Sequence, residues 1–143
     1  MAEDTLEKLE DYVVGIAGLT RDSLFPVGAL LVDDESRREV FDVLQKKDFV
    51  VLQDNVGDFG NLFDAVAQGK TIAISIEREL SSRALNFLQG FAHGQVLAHI
   101  PGSATPRIIN PIPNTTKILL VLDKALYDRA EHFNKIVSST CRL

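Results

Sequence analysis

The sequence predicts an α/β fold, a single compact sheet with packed helices, in which a β-α-β-α-β-β core is flanked by N-terminal and C-terminal helices. Three observations carry this. Residues 71–76 are an almost unbroken apolar run, as expected of a strand at the covered centre of a sheet. The segments around it space their apolar residues three and four apart, which is the helical period. From residue 48 onward the two patterns follow one another as β-α-β-α-β-β-α, for which one sheet with helices laid on it is the economical arrangement.

Taken in order, Leu6, Leu9, Val13 and Ile16 make an amphipathic helix whose other face carries Glu3, Asp4, Glu7, Glu10 and Asp11 against Lys8. Residues 29–32 read as a short strand that stops at Asp33-Asp34. Val40, Phe41, Val43 and Leu44 form the stripe of a second helix between residues 35 and 47. A strand at 49–52 follows, rich in the β-branched and aromatic residues that fit a pleated surface. Asp58 caps a helix running to Gln68, with Gly69 as its stop. After the strand at 71–76, Ser81 or Ser82 caps a helix with the broad apolar face Ala84, Leu85, Phe87, Leu88 and Phe91, ended by Gly94. Strands follow at 95–100 and 116–122, and a last helix at about 124–137. Between those two strands, Pro101, Pro106, Pro111 and Pro113 mark an exposed loop at 101–115, since proline cannot donate to a strand ladder. The expected organisation is an N-terminal helical extension over residues 1–45 and an α/β domain with its C-terminal helix over 46–143.

Composition narrows the function. A chain of 143 residues with 45% hydrophobic content can bury a core of its own, and a formal net charge of −5 opposes non-specific binding to nucleic acid. The pairs Arg37-Arg38 and Lys46-Lys47 are flanked by acids and read as solvated helix edges. The single cysteine, Cys141, permits no internal disulfide. The first residues lack the basic start and apolar stretch of a secretory signal, and no apolar run reaches the roughly 20 residues that span a bilayer, so a cytoplasmic protein is expected. Anionic lipid would repel the acidic face of the first helix, which argues against membrane contact through it.

No catalytic, cofactor or metal site can be assembled from the sequence. Gly69-Lys70-Thr71 has the ending of a phosphate-binding loop, but the first glycine of G-x-x-x-x-G-K-S/T falls on Asp64, and a strand follows where the motif requires a helix. His93, His99 and His132 include no pair at the i, i+4 spacing of a helical metal site. There is no G-x-S-x-G elbow, and Cys141 beside the terminus is a poor nucleophile. Asn114-Thr115-Thr116 matches a glycosylation sequon and reads as a turn. A non-enzymatic binding protein is therefore expected.

Residues 49–122 carry a resemblance. The strand at 49–52, a helix ending Ala65-Val66-Ala67-Gln68-Gly69-Lys70, a strand leading into Glu77-Arg78, and the helix Ser82-Arg83-Ala84-Leu85-Asn86-Phe87-Leu88-Gln89-Gly90 with an A-x-x-x-x-F-L-x-G pattern resemble SepF, the cell-division family that links the FtsZ ring to the membrane at the septum. The closing strand at 117–122 stands where that family has its final apolar strand. The resemblance implies a self-associating adaptor without enzymatic activity or cofactor: a homodimer or higher oligomer that binds an FtsZ-like peptide and reaches the membrane only peripherally, at a division site. It places Ala84, Phe87 and Gly90 at the dimer or assembly interface, and Ile118 and Leu120 beside the peptide. Two other readings stay open. One is a small-ligand or nucleotide-responsive regulatory domain with its pocket near Gly69-Lys70 or the proline loop. The other is an accessory subunit of a larger assembly, docked through its acidic N-terminal helix.

Overall fold

The computed structural model describes residues 3–18, 27–53, 56–78, 81–98, 104–110, 112–113, 115–129 and 136–143. They form α1 (Glu3–Gly18), β1 (Val27–Val32), α2 (Asp34–Lys46), β2 (Val50–Gln53), α3 (Val56–Ala67), β3 (Thr71–Ile76), α4 (Ser82–Ala92), β4 (Val96–Ala98), β5 (Arg107–Ile109), β6 (Lys117–Asp123), α5 (Lys124–Arg129) and β7 (Ser139–Arg142). Five strands make one sheet in the order β2-β3-β6-β1-β7. Every pairing in it is parallel. The α/β class read from the sequence holds.

Parallel strands need helical crossovers, and crossovers in one sheet are right-handed. The step from β1 to β2 runs toward one edge of the sheet, whereas β2 to β3, β3 to β6 and β6 to β7 all run toward the other. The helix of the first step must therefore lie on the opposite face from the rest. Leu9 and Val13 of α1 and Val40 and Leu44 of α2 accordingly pack on Leu30, Val32, Leu119 and Val121. On the other face Phe63 and Val66 of α3, Phe87, Leu88 and Phe91 of α4 and Leu126 of α5 cover Ala29, Leu31, Ile118, Leu120 and Leu122. Successive residues of β1 and β6 point alternately into the two layers, and both layers are closed, which is why residues 29–32 and 118–122 are all apolar.

Strand β1 lies in the interior of the sheet, paired with β6 on one side and β7 on the other. Residues 27–45, placed by the sequence reading in an N-terminal extension, thus supply an internal strand and most of one of its covering helices.

Some elements differ from the sequence reading. The segment expected as a further strand at 95–100 gives β4, which pairs antiparallel with β5 in a separate two-stranded ribbon. The place beside β3 goes to β6, whose longer apolar run can be buried on both faces. Helix α5 occupies the start of the expected final helix, and residue 136, near its expected end, is helical too; the chain then adds an edge strand, β7, that polar residues and a half-exposed burial pattern conceal. Helix α3 begins at Val56, two residues before the expected cap Asp58. Ser81 caps α4 as expected, its Oγ accepting the Ala84 N–H at 3.1 Å.

Three helices on the way into strands end alike. At the close of α3, Lys70 N–H donates to Ala65 O and Gly69 N–H to Val66 O. At the close of α4, Gln95 N–H donates to Gly90 O and Gly94 N–H to Phe91 O. The turn residues Gly69 and Gly94 have φ +76° and +89°. This paired bonding around a left-handed residue is the Schellman motif. At the end of α2 the same bonds run from Phe49 to Leu44 and Asp48 to Gln45, but the left-handed position, φ 64°, is held by Asp48. A side chain there is strained, and its charge opposes the negative end of the helix. Asp48→Gly is expected to stabilise the fold by about 0.5–1 kcal/mol, seen as a higher urea midpoint at unchanged slope.

Helix α1 is tied to the last strand. The Tyr12 hydroxyl lies 2.9 Å from Ser139 Oγ and donates to Ser139 O at 3.2 Å. It also lies directly over Gly28, where a Cβ would come within 2.7 Å of it. Burial pushes the Tyr12 phenol above its ordinary range, against an opposing hydrogen bond from Ser139. Burial raises the neighbouring Cys141 thiol as well, against the pull of Lys8. Folding therefore favours the protonated forms of both. Their contribution is complete below the ordinary thiol and phenol values and is lost as pH climbs through the raised ones. Stability is expected to decline in the alkaline range, and Tyr12→Phe to flatten that decline, measured as melting temperature against pH.

Candidate functional site

In an open parallel sheet the carboxyl ends of all strands lie on one edge, and a crevice opens where neighbouring strands send their following helices to opposite faces. Here that point lies between β1, followed by α2 on one face, and β6, followed by α5 on the other. A cleft of about 540 Å³ occurs there, lined by Asp34, Arg37, Glu77, Asp123, Leu126 and Arg129. Asp34 and Arg37 come from the first turn of α2, Glu77 follows β3, Asp123 ends β6, and Leu126 and Arg129 belong to α5.

Arg37 forms the floor. From α2 its guanidinium reaches across the ends of β3 and β6, and Nη1 donates to Ser75 Oγ at 3.3 Å, Val121 O at 3.4 Å and Ile76 O at 3.5 Å. Its side chain is only 13% exposed, so the reading of Arg37-Arg38 as a solvated pair fails for the first member. The helical period carried the signal: Arg37 stands three and seven residues before Val40 and Leu44, on the stripe that faces the sheet, while Arg38 is turned away. Asp34 lies 3.8 Å from Nη2.

The rim is built around helix starts. Asp123 Oδ1 accepts the Ala125 N–H at 2.8 Å and so opens α5, and Lys124 pairs with Asp33 at 3.7 Å. At the start of α2, Asp33, Asp34 and Glu35 occupy the end where free N–H groups would otherwise attract an anion. Leu126 is buried and gives the cleft an apolar wall. No group of three or more His, Cys, Asp or Glu among the described residues is placed to hold a metal ion.

The residues singled out from the sequence lie elsewhere. Ala84 and Phe87 are buried on the face of α4 that meets the sheet, and Phe87 packs edge-on against Phe63, with centroids 6.3 Å apart. Gly90 is half-buried and faces its own chain, since a Cβ there would lie 2.7 Å from the Gln95 carbonyl oxygen. Ile118 and Leu120 have no exposed surface and sit in the middle of the sheet under α3 and α4. Gly69 and Lys70 lie at the opposite edge from the cleft, where Lys70 O accepts the Lys117 N–H. His93 is exposed, its Nδ1 2.7 Å from Gln89 O. His99 and His132 fall outside the described residues, as do residues 101–103, 111 and 114 of the proline loop. Within that loop Arg107 pairs with Asp64 at 2.8 Å and stacks over the Phe63 ring at 4.5 Å, fastening the ribbon to α3.

Among the described residues, no helix is long and apolar enough to cross a membrane. No protein-family model matches the sequence, and no curated protein matches it.

Proposed function

We propose that this chain is a binding domain for a small charged ligand, with its site in the cleft at the carboxyl edge of the sheet. The observation that carries the reading is the coincidence of three independent things: the switch point of the topology, a cleft of ligand size, and six lining residues drawn from three stretches far apart in sequence. This keeps the ligand-responsive reading of the sequence but moves the pocket from Gly69-Lys70 to the other end of the same strand. The carboxylates at the start of α2 disfavour a nucleotide phosphate. The test is nuclear magnetic resonance of labelled protein with a cocktail of small charged metabolites. Binding here shifts the amides of Asp34, Glu77 and residues 123–129; shifts confined to other regions would refute the proposal.

The self-associating, SepF-like adaptor is the second reading. What favours it is that β2 and β7 end the sheet with no further strand beside them among the described residues, and an open edge is a template for another chain. In this form the adaptor joins through a sheet edge, because Ala84, Phe87, Ile118 and Leu120 are occupied within their own core.

A further inference from the structure

The charges in the cleft do not balance, and the imbalance says what kind of ligand belongs there; this step rests on the cleft being the binding site. The Arg37 guanidinium is largely withdrawn from water, yet its Nη1 contacts of 3.3–3.5 Å are long and all to neutral oxygens. Among the described residues, its carboxylate is Asp34, at 3.8 Å and itself 87% exposed. A buried charge is stabilised only by close, well-formed partners, and a guanidinium presents five donors suited to a planar anion. Arg129 lines the same cleft from α5, steadied by Nε donating to Ala125 O at 3.2 Å.

Set against these two guanidiniums are three carboxylates, Asp34, Glu77 and Asp123. A phosphate would add its charge to a cleft already holding one more acid than base. A simple amine would satisfy the acids and leave Arg37 as it is. A molecule carrying one carboxylate and one ammonium meets both demands without changing the net charge. We infer that the cleft takes a small zwitterion of the α-amino-acid kind, its carboxylate on Arg37 and Arg129, its ammonium on Glu77 and Asp123, and its side chain against Leu126. A cleft of about 540 Å³ has room for such a molecule.

The experiment is thermal denaturation of the full chain with each of the twenty L-α-amino acids, the matching amines that lack the carboxylate, and the matching 2-hydroxy acids that lack the ammonium. It is repeated in Arg129→Ala and Glu77→Gln, both exposed positions outside the core. A ligand that binds only the folded state raises the melting temperature. The expected result is a shift with one or a few amino acids that is absent with their amine and hydroxy-acid counterparts, and an affinity at least tenfold weaker in each variant. A shift from amines or acids alone, lost in the variants, overturns the zwitterion while leaving the cleft as the site. No shift with any class, or one indifferent to both variants, overturns the inference and the cleft together.

Discussion

Leu120→Ala is expected to destabilise the protein by about 2–5 kcal/mol, the cost of a cavity at a site that cannot collapse. Leu120 is wholly buried, in register with Ala29 on one side and Ile74 on the other, and roofed by helices. Urea denaturation reads the loss as a lower midpoint at constant slope. The same measurement separates two roles. If Leu120 stood beside a bound peptide, alanine would weaken capture of the peptide and leave the midpoint nearly unchanged. A loss below about 0.5 kcal/mol, the scale of an ordinary surface substitution, would count against the packing described for β6.

Gly90→Lys carries the next largest effect. Glycine is ordinarily unfavourable inside a helix, so substitution should gain a little from propensity. Here the gain is overridden: a Cβ at this position meets the Gln95 carbonyl oxygen at 2.7 Å, and that oxygen belongs to backbone. The turn at Gly94 must open or α4 must move from β4, at a cost of about 1–3 kcal/mol as for other overpacked sites. Because the clash is within one chain, the loss should not depend on protein concentration, and light scattering should give the same mass for variant and parent. A stability loss that vanishes on dilution, with a parent that is larger than its variant, would instead put Gly90 at an interface between copies.

What the sequence disclosed depended on how completely each element is buried. Residues 29–32, 71–76 and 117–122 are legible because they are covered on both faces and hence largely apolar. Strands β5 and β7 are not, because an edge or ribbon position tolerates Arg107 or Thr140 and leaves no periodic trace. The order of the strands was not legible either. It depends on which apolar run best fills the gap beside β3, a comparison between distant segments rather than a property of any one. The candidate site shares this fate. Asp34, Glu77 and Asp123 each stand just past an apolar run, visible one at a time. That they converge follows only once β1, β3 and β6 are known to be parallel neighbours. Arg37 was hidden for another reason: beside Arg38 and between acids it looked like a solvated charge, although its place on the helical stripe assigned it to the sheet.

The interior position of β1 has a consequence during synthesis. Val27–Val32 leaves the ribosome early, but its partners, Lys117–Asp123 and Ser139–Arg142, lie about ninety and more than a hundred residues downstream. Until they arrive, the apolar side chains of this segment have no place to dock and its backbone has no strand to pair with, and such long-range parallel pairing is slow to form. The nascent chain is thus at its most vulnerable to misassociation through the very segment that is best protected once folding is complete, and chaperone capture of β1 is the expected means of holding it until the sheet can close around it.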